Sequence, residues 1–85
     1  MKIYDQIPLQ ERPIPEGYWE EEDWAWAHYA EFMKQYPDQW IAVWQKQVVA
    51  HAESLDETEA IALEKTGMPQ VPVIFVEGRI HVYTN

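Results

Sequence analysis

The run Trp40-Ile41-Ala42-Val43, followed after Trp44-Gln45-Lys46-Gln47 by Val48-Val49-Ala50-His51, constrains this chain more than any other stretch. β-Branched residues in two short apolar runs on either side of a polar pair predict a β-hairpin. Its turn falls at Gln45-Lys46, which lacks the Gly or Asn that primed turns favour, so a four-residue loop with the same pairing serves as well as a two-residue one. Either even loop pairs Ile41 with Ala50 and Val43 with Val48, leaving Trp40, Ala42, Trp44, Gln47, Val49 and His51 on the other face. A three-residue loop would move Trp40 and Trp44 onto the face with Val48 and Ala50, because a one-residue slip exchanges the faces.

Immediately after the hairpin, Ser54-Leu55-Asp56-Glu57 matches a capping box and predicts a helix start. That helix carries Leu55, Ala60, Ile61, Ala62 and Leu63, and Gly67 is a natural left-handed stop with Lys65 in the last turn. Pro69 and Pro72 then force extended backbone. Val71 to Val76 and Arg79 to Tyr83 flank Glu77-Gly78 as a second hairpin, with Val73, Phe75, Ile80 and Val82 on one face and Ile74, Val76, Arg79, His81 and Tyr83 on the other.

Upstream, Trp19 to Tyr36 repeats apolar residues at steps of three and four and stops at Pro37, which predicts one helix. Its acidic start, Glu20-Glu21-Glu22-Asp23, complements the positive end of the helix dipole. Residues 1–18 hold Pro8, Pro13, Pro15 and Gly17 without a sustained period and read as an extended arm, so residues 19–85 form the single domain. The expected class is α+β in the order α-β-β-α-β-β: a mainly antiparallel sheet with two helices on one face.

With 85 residues and no cysteine, the chain has a small core and no disulfide to reinforce it. Five Trp and five Tyr are nonetheless more than a disordered chain carries. The net charge of −9 disfavours direct binding to nucleic acid, whose backbone attracts clustered Lys and Arg. The longest apolar run is too short to span a bilayer and the N-terminus lacks a signal-peptide core, so a soluble cytoplasmic protein with no membrane contact is expected.

The segments Tyr36-Pro37-Asp38-Gln39-Trp40-Ile41-Ala42-Val43 and Val48-Val49-Ala50-His51-Ala52 resemble the small prokaryotic proteins of domain of unknown function family 5678. That family's pattern is YPGKW(V/I)AVV, a Gly-containing turn and VVAHG, and the likeness covers roughly residues 29–66. The chain departs from it at Asp38, at Gln45-Lys46 and at Trp44. The resemblance implies the hairpin and the helix after it, and an accessory or antitoxin-like role, with no reaction or catalytic residue.

The chemistry of sites is sparse. No Gly-rich phosphate loop or nucleophile elbow is present, and Ser54 is explained as a cap. His28, His51 and His81 are far apart, without metal-ligand spacing, so neither cofactor nor metal is expected. A small metal-dependent enzyme using His51 and His81 is the weaker alternative. The pairing above places Trp40, Trp44, Val49, His51, Ile74, His81 and Tyr83 on one sheet face, a larger apolar area than a monomer usually exposes. The expected function is therefore a non-enzymatic, acidic protein-interaction module, that face being covered by a protein partner, a twin subunit in a homodimer, or the arm.

Overall fold

The structure, a computed structural model, describes residues 13–78. It is a small α+β domain in which three helices pack on a three-stranded antiparallel sheet. The residues that would form the far strand of the second hairpin, Arg79 to Tyr83, and most of the N-terminal arm lie outside the described residues.

Helix α1, Tyr18–Ala27, starts at Gly17, whose left-handed φ of 89° suits glycine. The predicted helix from Trp19 to Tyr36 is instead two, because α2, Tyr29–Gln35, begins after a break at His28. The break has a local cause. The His28 N–H is divided between the carbonyls of Trp24 and Ala25, at 3.2 and 3.1 Å, and its ring Nδ1 also lies 2.9 Å from Trp24 O. Ala25 of α1 and Phe32 of α2 enter one core.

Strands β1, Gln39–Val43, and β2, Val48–Ala52, form the predicted hairpin. Its loop is the two-residue version: Gln45 and Lys46 have φ of 58° and 61°, the signature of a type I′ turn, and Trp44 N–H donates to Gln47 O at 2.9 Å. Val43 then pairs with Val48 as an even loop requires, but Ala42 pairs with Ala50, Ile41 with His51 and Trp40 with Ala52. Val49 is therefore the extra residue of a β-bulge, and beyond it the register is that of an odd loop. Both alternatives for the loop hold, each at one end of the hairpin.

Helix α3, Leu55–Thr66, follows the capping prediction closely. Ser54 Oγ accepts the Glu57 N–H at 3.2 Å, and Gly67 closes the helix at φ 71°, its N–H on Leu63 O at 2.8 Å. Strand β3, Val73–Val76, then pairs with β1, giving the order β2-β1-β3. Since β1 is antiparallel to both neighbours, β2 and β3 run parallel, and α3 crosses over β1 to connect them.

That crossover corrects the expected layering. The two halves of the helical content do not share a face: α1 and α2 cover Ile41, Val43, Ile74 and Val76, whereas α3 covers Ala42, Ala50 and, with Ala62, Val71. Alanines under α3 allow its backbone to approach the sheet, and larger residues fill the other side. A crossover must occupy one face and so leaves α1 and α2 the opposite one.

Candidate interaction surface

Of the seven residues expected on one exposed face, the five that are described, Trp40, Trp44, Val49, His51 and Ile74, do not share one. Trp40 and Trp44 do share a face, but it is the one under α3, where both are half-buried. Trp40 sets its ring edge-on to Phe75, centroids 5.3 Å apart, and its carbonyl accepts the Thr58 hydroxyl at 3.4 Å. Trp44 packs on the alanine cluster, as does Val49, which the bulge turns to that side. His51, opposite Ile41, lies on the α1/α2 face. Its Nδ1 is 2.8 Å from Gln39 Oε1, and its ring lies 4.8 Å from that of Tyr36. Ile74 is in the core at 5% exposure, and His81 and Tyr83 lie outside the described residues. The bulge separates Trp40 from His51, since it shifts every pair beyond it by one.

The exposed aromatics are elsewhere. Trp19 and Trp26 of α1 are 61% and 53% exposed, although Trp is usually among the well-covered residues. Seven residues are almost two full turns, so both indoles leave the same side of α1, about 10 Å apart along its axis. That side is opposite the one carrying buried Glu21 and Ala25. Glu22 and Asp23 project on either flank of the line between them. None of Glu16, Glu20, Glu22 or Asp23 forms an ion pair with another described residue.

Each indole is held by a tyrosine. Trp19 meets Tyr18 edge to face at 4.8 Å and 79°, and Trp26 stacks on Tyr29 at 5.2 Å and 27°. Tyr29 is itself fixed: its hydroxyl donates to Phe75 O at 3.3 Å and accepts the Glu77 N–H at 3.0 Å on the outer edge of β3. Burial, followed by the charges of Glu22 and Glu59, raises the Tyr18 hydroxyl above its ordinary pKa of 10.0. The aromatic excess of this helix is visible in the sequence. Choosing its outward stripe requires knowing that the small Ala25 faces the core, and the seven-residue spacing of Trp19 and Trp26 is the available signal.

Among the described residues no group of three or more His, Cys, Asp or Glu side chains could hold a metal ion. No helix among them is long and apolar enough to cross a membrane.

No curated protein matches the chain, and no solved structure does. A family model does match, from within α2 through β3, taking in the hairpin, α3 and the strand that α3 leads to. The model is that of DUF5678, a family of unknown function, and as it covers residues 31–79, more than half of the sequence, this chain belongs to that family.

Proposed function

We propose that this protein is a non-enzymatic interaction module, an accessory or antitoxin-like subunit, that docks a protein partner through α1. The observation that carries the proposal is the exposure of Trp19 and Trp26 on one stripe of that helix. Tryptophan is among the residues that most often dominate binding energy at protein interfaces, and Trp26, stacked on the hydrogen-bonded Tyr29, loses little freedom on docking. This surface lies largely before the residues matched by the family model, so it is a property of this chain's own N-terminal portion.

The test is capture of partners from the native host with the wild-type chain and with Trp19→Ala/Trp26→Ala as parallel baits. A stoichiometric partner retained by the first and lost by the second supports the role. A partner held equally by both baits would refute the assignment to this stripe.

Self-association is a second reading, favoured by β2, whose outer edge has no partner strand among the described residues. Light scattering over a range of concentrations decides it, since a strict monomer at high concentration removes the homodimer.

A further inference from the structure

We infer that the occupant of the Trp19/Trp26 stripe is an arginine- and lysine-rich segment of the partner protein. This deepens the interaction reading above and rests on it. A tryptophan face attracts a guanidinium or ammonium group through its ring quadrupole, and indole is the best of the aromatic side chains for this. On α1, helix geometry sets Glu22 and Asp23 on either flank of the line between the two indoles, and Glu16 and Glu20 lie around Trp19. The helix carries no Lys or Arg of its own, and the three lysines among the described residues, Lys34, Lys46 and Lys65, all lie outside it.

Charge selects among the possible occupants. A second copy of this chain would bring another net −9 to the contact, and a nucleic acid or an anionic lipid surface would be repelled. The chain's own residues 1–12 carry Lys2 and Arg12 against Asp5 and Glu11 and so offer no excess of positive charge. A basic partner gains twice: the carboxylates steer the encounter, and the exposed indoles supply the apolar and cation–π contact that holds it. The Trp26–Tyr29–β3 chain of contacts keeps one of these anchors in place before the partner arrives.

The test uses the full-length chain and three short synthetic peptides: one alternating arginine and leucine, one alternating glutamate and leucine, and one alternating glutamine and leucine. Binding is read from the indole N–H resonances, with Trp40 and Trp44 as internal controls. The expected result is that the arginine peptide shifts Trp19 and Trp26 selectively. Its affinity should fall about tenfold or more in Trp19→Ala/Trp26→Ala, which circular dichroism must show to be folded. It should also fall about threefold in Glu22→Gln/Asp23→Asn and weaken as salt is raised to about 0.5 M.

Equal binding to the tryptophan variant would mean unspecific attraction to an acidic chain and overturns the inference. So does the absence of any peptide binding. If the glutamine or glutamate peptide takes the indoles and the arginine peptide does not, the basic partner is refuted while the docking surface stands. A concentration-dependent indole shift without peptide assigns the stripe to a second copy. Protection of both indoles from a soluble paramagnetic agent in the free chain assigns it to the chain's own residues; either result overturns the inference. Loss of the surface itself is read separately, from the two-bait capture above.

Discussion

Glu21 Oε1 accepts the backbone N–H of Lys46 at 2.8 Å, joining the first turn of α1 to the tip of the hairpin across 25 residues of sequence. The carboxylate is 11% exposed, and its other oxygen lies 3.7 Å from Lys46 Nζ. Two non-glycine residues in succession at positive φ are unfavourable, and a charged acceptor on the second offsets part of that. Removing it leaves the amide without its acceptor, so Glu21→Ala should lose about 1–2 kcal/mol in urea unfolding. Lys46→Met, which removes only the exposed half of an ion pair, should lose less than about 1 kcal/mol. Equal losses in the two variants would show that the ion pair, not the backbone bond, is what matters.

The turn itself offers a gain. Gln45→Asn and Lys46→Gly place at φ 58° and 61° the residues for which those angles are easiest. The double variant should gain about 1 kcal/mol or more, less the weak lysine ion pair. Thermal denaturation against wild type reads it. Loss of stability would mean that the turn relaxes to another geometry in solution.

Trp44 and Trp19 separate core from surface. Trp44 is half-buried in the cluster under α3, so Trp44→Ala should lose about 2 kcal/mol, below the range for a fully enclosed tryptophan. Trp19→Ala, at an exposed site, should change stability by no more than about 0.5 kcal/mol. Chemical unfolding of both variants in one buffer checks the pair. A large loss for Trp19→Ala would place it in the fold rather than on the docking stripe.

Local chemistry made some of this legible in the sequence. Ser54 and Gly67 mark the ends of α3 because caps depend on a few neighbouring atoms, and the hairpin with its turn at Gln45-Lys46 follows from the pattern of apolar residues. The bulge at Val49 was not legible. Nothing in Val48-Val49-Ala50 marks it, and its justification is tertiary, since it brings both Val49 and Ala50 to the side of α3. That one residue separated Trp40 from His51, whereas Ile74 left the expected face through its pairing with Ile41. The crossing of α3 over β1 was hidden for a related reason: a strand pattern does not say which neighbour the strand will choose. Asp38 is an intermediate case. Its replacement of the family's glycine raised the question of geometry there, and its φ of 60° with its Oδ1 on the Gly78 N–H at 2.9 Å answers it.

Tyr29 occupies polar groups on the outer edge of β3 that would otherwise invite another strand, a common way of protecting a sheet edge. Tyr29→Phe keeps the ring under Trp26 and removes only the hydroxyl. Amide exchange at Glu77 should quicken, and global stability should fall by about 1 kcal/mol. Unchanged exchange at Glu77 would show that the hydroxyl does not protect it.

Tyr18 gives the chain an alkaline sensitivity with a defined sign. Its hydroxyl is raised above 10.0 in the folded state, first by burial and then by Glu22 and Glu59. As pH passes through the ordinary tyrosine value, the unfolded chain releases this proton while the folded chain still holds it. The unfolded state then binds fewer protons, so stability declines with rising pH. The contribution is fully present below pH 10 and is lost as pH climbs through the folded value. Tyr18→Phe should flatten this part of the pH–stability curve without altering it near neutrality. Glu22→Gln should shift the hydroxyl's titration, followed by ultraviolet absorbance, only part of the way back, because burial is the larger cause. Complete return to the ordinary value in Glu22→Gln would reverse that order of causes.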